Sequence, residues 1–399
     1  MTGLRREQIE IQVALINPLM HVKGYGAPET KAAVERARLL IEEAKSRGES
    51  PEDPQLLFSV LHGFAMVNLV AFNGEALRAL AEQFLALAQA QSSIVPLMIG
   101  HRVMGHSRLF TGDVAESLHH YDRSLALYDR AELPLMTGFG GVEARVSALC
   151  FRSQSLWMLG YPEAALSDAV QAMSHSRAIG HAVTLINTLC LSGRTNIYCG
   201  NYTTARAELT EGIALSGEKS AMFWKAQATA SLGVVSALIG EAIDAVSMIG
   251  AGIAMWRSTG ATASVPFFQS YLAKAHAMLG QFDEAQHHID QAMATIESTG
   301  ERVWAAEVQR LAGEVALLSP RADATEAQTH FECALTTARQ QQTKSWELRA
   351  AMSMARLWRD QGKRDEARDL LAPVYGWFTE GFDTRDLKEA KALLEELAA

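Results

Sequence analysis

Two adjacent histidine pairs, His119-His120 and His287-His288, are the residues whose type first suggests metal chemistry. Neighbours on a helix point about 100° apart, so each pair makes a poor chelate. His101 and His106 are five residues apart, which also misses one helix face, and no H-E-x-x-H string occurs. These histidines read as solvated or hydrogen-bonded side chains. Gly138-Phe139-Gly140-Gly141 could cradle a phosphate, but it lacks the G-x-G-x-x-G pattern and does not follow a strand. It reads as a connector. The cysteines, Cys150, Cys190, Cys199 and Cys333, form no C-x-x-C pair and have no base that could be argued to activate them. Buried, reduced thiols are expected. No catalytic group, metal ligand or cofactor site is read from the sequence.

The chemistry that remains is recognition, and it depends on the elements that carry the polar residues. A glycine recurs where one helix should end: Gly74, Gly112, Gly160, Gly200, Gly240, Gly280 and Gly362. Most spacings are close to 40, and the last is two units long, with Pro320-Arg321-Ala322 at the missing position. Five residues after each glycine stands a small residue: Ala79, Ser117, Ala165, Ala205, Ala245, Ala285 and Ala367, with Ala327 in the degenerate unit. Glycine accepts the left-handed conformation that closes a helix. The small residue lets the next helix approach it.

This is an internal repeat of helix pairs. It predicts an all-α fold, a tetratricopeptide-like α-α superhelical solenoid of about eight to nine helix pairs. First helices are expected near 55–73, 94–111, 142–159, 181–199, 220–239, 261–279, 301–318 and 344–361. Residues 1–54 form an N-terminal helical pair, 55–383 the array, and 384–399 a capping helix. The period is longer than that of the standard tetratricopeptide motif.

In such a fold the first helices line the concave face. With each unit aligned on its glycine, and the seventh on Ala327, the groove positions include Arg102, His106, Gln154, Asn187, Arg194, Gln227, Lys274, Arg349 and Arg356. Phe64 and Phe267 supply apolar slots, and one or two of the tryptophans are expected to line the groove. No acid occupies these slots in this register, although the chain carries a net charge of −9. Two readings follow. A mildly basic groove accepts an acidic or C-terminal-carboxylate peptide, or the bias is accidental and the array packs on another domain.

Composition narrows the partners. The acidic balance argues against nucleic acid. The charged N-terminus lacks a signal-peptide core, and no run of about 18 apolar residues exists, so neither secretion nor a membrane is expected and the chain reads as cytoplasmic. Leu4, Ile9, Ile11, Val13, Leu15 and Ile16 give the first helix apolar residues that could dock another domain.

The last third reads Lys344-Ser345-Trp346-Glu347-Leu348-Arg349-Ala350-Ala351, then Ala355-Arg356-Leu357-Trp358, then Leu371-Ala372-Pro373-Val374-Tyr375-Gly376-Trp377-Phe378-Thr379-Glu380-Gly381-Phe382-Asp383-Thr384. Gly300-Glu301-Arg302 and Lys23-Gly24-Tyr25 lie upstream. Together they resemble the C-terminal helical region of bacterial multidomain signalling ATPases, which often carry a class III adenylate or guanylate cyclase domain. The resemblance covers essentially the whole chain and is most specific over 344–384. There is no G-x-x-x-x-G-K-[ST] phosphate loop and no room for a cyclase fold, so neither activity carries over. The resemblance implies a regulatory arm that binds a protein or peptide, or a separate ATPase or cyclase module. A metabolite-sensing solenoid is the further alternative.

Overall fold

The structure, a computed structural model, describes residues 3–47, 54–91, 93–130, 141–320 and 324–399. Every regular element among them is helical. The first pair is α1 (Gly3–Val22) and α2 (Pro28–Ser46). Seven pairs follow: α3 (Pro54–Val70) with α4 (Gly74–Ala90), α5 (Ile94–Phe110) with α6 (Val114–Arg130), α7 (Ala144–Leu159) with α8 (Pro162–Ile179), α9 (Ala182–Tyr198) with α10 (Tyr202–Glu218), α11 (Met222–Leu238) with α12 (Ala242–Ser258), α13 (Val265–Met278) with α14 (Phe282–Thr299), and α15 (Ala305–Leu318) with α16 (Ala324–Gln340). A ninth pair, α17 (Lys344–Asp360) and α18 (Arg364–Tyr375), precedes a single last helix, α19 (Arg385–Ala398). The expected fold class is the observed one. No described helix is long and apolar enough to cross a membrane. Of the glycine-rich connector only Gly141 lies within the described residues, and of the degenerate turn only Pro320.

The repeat glycines do what their spacing predicts. Gly112, Gly160, Gly200, Gly240, Gly280 and Gly362 have φ between 75° and 97°. Ser117, Ala165, Ala205, Ala245, Ala285, Ala327 and Ala367 are all fully buried between paired helices. A second small position is as strict. A Cβ on Gly105 would stand 2.6 Å from the Tyr121 ring, and one on Gly313 2.5 Å from the Phe331 ring.

Two units depart from the register set by their glycines. Gly74 is the first residue of α4, and Phe72, forty residues before Gly112, occupies the positive-φ position instead. Consistently, Leu77 is buried and Ala79 is exposed. In the seventh unit Gly313 marks the register of α15, forty residues after Ala273, whereas Ala327 marks only α16. Two extra residues in the turn separate the two registers.

The coil closes on itself. Thr262 and Ala263 both donate backbone N–H bonds to the Val70 carbonyl at 2.9 Å. Ser345 Oγ donates to the Trp157 carbonyl. Glu163 accepts from the Gly381 N–H at 2.7 Å, and Glu380 accepts from the Glu163 and Ala164 N–H groups at 2.9 and 3.0 Å. Gly26 and Gly260 meet so closely that a Cβ on Gly26 would lie 2.3 Å from the Gly260 carbonyl oxygen. Segments of one superhelical turn therefore meet segments nearly five to nearly six units further along the chain. One superhelical turn rests on the next along a hydrogen-bonded seam.

Candidate functional site

Closure of the coil decides what the inner face can do. Arg102, His106, Gln154, Asn187, Arg194 and Gln227 are each at most 4 % exposed. They are buried side chains of the coil's interior rather than the solvent-facing groove residues expected. Lys274 and Arg356 keep side-chain exposures of 23 % and 40 %, and Arg349 is 9 % exposed. Of the two apolar slots, Phe267 is buried. Phe64 belongs with Asn68 to a cleft against Ser298 and Thr299, because the register of the first unit is shifted.

The corrected registers bring His62 and Met66 to the inner face in place of Phe64 and Asn68. They also bring in Glu307, Arg310 and Glu314. The inner face is thus not free of acids. Its C-terminal part is a ladder of ion pairs. Arg310 Nε meets Glu307 at 2.7 Å and its Nη1 bonds Glu314. Lys274 meets Glu314 at 3.0 Å, Arg349 meets Asp386 at 2.7 Å, and Arg356 meets Glu389 at 3.0 Å. Tyr271 donates to Glu307 at 2.7 Å. The neighbouring cations hold the Glu307 and Glu314 carboxyls below the usual range despite burial.

The N-terminal part is different. Arg102, Arg194, His62 and His106 line a chamber of about 100 Å³ whose walls are otherwise mostly apolar and aromatic. None of the twenty described residues that line it is acidic. Arg102 approaches His62 Nε2 at 3.2 Å, and Arg194 reaches Ser264 Oγ at 3.4 Å. Arg194 also lies over the rings of Phe267, Phe268 and Trp304, 5.6–5.8 Å from their centroids. Neither arginine forms a salt bridge among the described residues. Burial lowers the pKa of both. His62 is pushed down to about 3 by burial and by Arg102, and His106 falls well below its ordinary value for the same reasons, so both imidazoles are neutral. His106 pairs with the Tyr121 hydroxyl at 2.7 Å.

The remaining chemical candidates are placed as follows. His101 and His120 pair through their Nδ1 atoms at 2.9 Å between α5 and α6, and His276 stacks on His288 between α13 and α14. No three metal-ligating groups converge among the described residues. Cys150, Cys190 and Cys199 are buried, and burial raises each thiol pKa, that of Cys190 to about 12. Cys333 is exposed. Of the tryptophans, Trp224 and Trp256 line the chamber. The signals that place His62 and the α15 acids on the inner face are present in the sequence as forty-residue spacings from Gly112 and Ala273. The acids of α19 carry no repeat signal, because that helix has no partner in the array.

No protein-family model matches the chain. An uncharacterised protein of Rhizobium meliloti (strain 1021) is 25 % identical over 286 residues, which cover 68 % of this chain and 26 % of that protein. The chain thus spans about a quarter of the length of the curated relative it matches. Among solved structures, the Rap conjugation gene regulator of plasmid pLS20 in complex with the Phr* peptide is similar at a TM-score of 0.55 and 11 % identity, covering 97 % of this chain and 96 % of that one. The Cut9–Hcn1 hetero-tetramer of the APC/C gives a TM-score of 0.53 at 14 % identity, covering 98 % of this chain and 73 % of that one. Aspartyl phosphate phosphatase F from Bacillus subtilis gives 0.50 at 13 % identity, with 94 % of each chain covered. At these identities the likeness establishes the fold: this chain is a tetratricopeptide-like helical solenoid.

Proposed function

We propose that the chain is a non-catalytic regulatory scaffold that recognises a protein or peptide partner through the C-terminal mouth of its inner face. The observation that carries this reading is the charge of an inner-face cleft whose rim side chains are exposed. The cleft there is lined by Lys274, Arg310, Arg349, Arg356 and Arg385 against Glu314, Asp386 and Glu389. Cations exceed acids, and Arg356, Arg385 and Glu389 are well exposed. An acidic segment or a C-terminal carboxylate can compete for guanidinium groups held in exposed, weak pairs. The similar regulator whose structure is in complex with a peptide supports a peptide as the partner class. Raised thiol and lowered imidazole pKa values support recognition over nucleophilic or acid–base chemistry.

Fluorescence anisotropy with a panel of acidic peptides tests this. Binding should weaken with salt and fall at least about tenfold in the Arg356→Glu/Arg385→Glu variant, which alters only exposed groups. Equal binding by wild type and variant would remove the mouth from consideration.

A second reading is favoured by a separate observation. Ile11, Leu15 and Val22 form an exposed apolar stripe along α1, while Ile9, Ile16 and Met20 pack inward. In this reading the chain is the sensor arm of a longer bacterial signalling protein, and an ATPase or cyclase module covers the stripe. The short coverage of the Rhizobium relative and the resemblance over 344–384 support it. Ile11→Asp/Leu15→Asp should abolish co-purification with such a module and leave peptide binding intact.

A further inference from the structure

We propose that the chamber lined by Arg102 and Arg194 on the inner face of the coil is a binding site for a small organic carboxylate with a flat, apolar body. This site is separate from the mouth.

The argument begins with charge. Two guanidinium groups are buried in a chamber without an acidic lining residue among the described residues. Desolvating a cation costs free energy that an ion pair normally offsets. At the other end of the same inner face, Arg310 and Arg349 have that offset from Glu307, Glu314 and Asp386. Arg102 and Arg194 do not. The carboxylates that act on them electrostatically, Glu143 and Glu301, form no salt bridge with them and bond other donors, although Glu301 Oε2 has no partner among the described residues. Glu143 accepts from the Arg145 and Val146 N–H groups and caps α7. Glu301 Oε1 accepts from the Ser264 N–H at 2.7 Å and the Trp304 indole N–H at 2.8 Å. An anion is the missing partner.

The unused hydrogen-bonding atoms point the same way. Arg102 Nε, Arg194 Nε and Nη2, and Trp224 Nε1 are buried donors with no partner among the described residues. The corresponding orphan acceptor on the chamber lining is Asn187 Oδ1. Native interiors rarely leave such atoms unpaired, and a donor excess matches a ligand that accepts. Guanidinium forks fit the two oxygens of a carboxylate in one plane.

The walls define the rest of the ligand. Tyr25, Phe223 and Trp256 form a continuous aromatic side. The Tyr25 and Phe223 rings are 4.9 Å apart, and Phe223 stacks on Trp256 at 4.4 Å. Such a wall takes a flat apolar group, with few polar atoms to fix its orientation. Tyr25 comes from the first helix pair and Phe223 from the sixth, so a ligand here would bridge two successive turns of the coil.

The experiment uses the full chain and titration calorimetry at pH 7.5, with phenylacetate as probe. Phenylacetamide, phenethylamine and phenyl phosphate are the comparisons, and tryptophan fluorescence gives an independent readout through Trp224 and Trp256. Expected is saturable one-to-one binding of phenylacetate, at least about tenfold tighter than phenylacetamide. Arg194→Gln should weaken it by a similar factor, and Arg356→Gln, at the mouth, should leave it unchanged. If Arg194→Gln does not fold, the acid-against-amide comparison on the wild type decides. Equal affinity for acid and amide, binding of phenyl phosphate alone, loss in Arg356→Gln only, or no saturation by any probe would each overturn the proposal. None of these outcomes touches the peptide reading, which is tested at the mouth.

Discussion

The guanidinium of Arg349 donates to the backbone carbonyl of Tyr198 at 2.8 Å, across 151 residues of chain. The same side chain meets Asp386 and lies over the rings of Trp157 and Trp346, 4.8 and 5.2 Å from their centroids. One residue thus joins four helices from two turns of the coil.

Removing this clamp should be costly, because Asp386 and the Tyr198 carbonyl would lose their shared partner. Arg349→Ala is expected to lower unfolding stability by about 3 kcal/mol or more. Arg349→Lys should recover only part of it, since an ammonium cannot stack and fork at once. Urea unfolding followed by helical circular dichroism measures both. A loss below about 1 kcal/mol would mean the seam holds without it.

Gly260 and Gly300 form a matched pair for testing the seam. Both close helices with φ of 74°. A Cβ on Gly260 would lie 2.0 Å from the Gly26 carbonyl oxygen, whereas one on Gly300 meets nothing within 4 Å. Gly300→Ala should cost about 1 kcal/mol of backbone strain. Gly260→Ala should cost clearly more and should also speed hydrogen exchange at the Thr262 and Ala263 amides, which bond Val70 across the seam. Equal effects from the two variants would show that the contact at Gly26 yields without cost.

Stability should depend on pH through Glu301. Burial raises its carboxyl from an ordinary value of 4.5 to about 7. Between those values the native state keeps a proton that the unfolded chain has released. Unfolding free energy therefore falls as pH rises from about 4.5 to about 7 and is level above that. The contribution is on the order of 3 kcal/mol. Glu208 and Asp168, raised to about 7 and about 6, act with the same sign. Glu301→Gln should flatten the profile, gaining stability relative to wild type at pH 8 but not at pH 4. An unchanged profile would show that Glu301 stays ionised in its site.

Thiol chemistry should report closure directly. Only Cys333 of the four cysteines is exposed. A disulfide exchange reagent should modify one thiol quickly in the native protein and the other three at the rate of unfolding. A fast second thiol would place Cys150, Cys190 or Cys199 in an opened coil.

Much of this architecture is legible in the residues themselves. Glycine in the left-handed region and alanine between helices leave a spacing that needs no partner to be read, because both constraints are local to one hairpin. Where the local signals conflict, the reading slips. Gly74 stands two residues from the position its unit requires, and Ala327 reports α16 but not α15. A shift of two residues on a helix turns the assigned face by about 160°, which exchanged His62 for Phe64 and hid Glu307 and Glu314. The basic inner face was accordingly half legible: Arg102 and Arg194 are uncompensated, whereas Arg349 and Arg356 meet acids from a helix outside the repeat.

Residue order alone specifies the helix pairs, their succession and the residues that pack each pair, since those contacts lie within a unit or between neighbours and follow the helical period. Whether the inner-face side chains stand in solvent or are buried by the next turn of the coil was decided only in three dimensions. The small rotation from each pair to the next accumulates over nearly five units before Val70 meets Thr262, and nearly six before Gly26 meets Gly260. No local pattern encodes that sum, and on it depends whether an inward-facing arginine meets solvent, a carboxylate or a mostly apolar chamber.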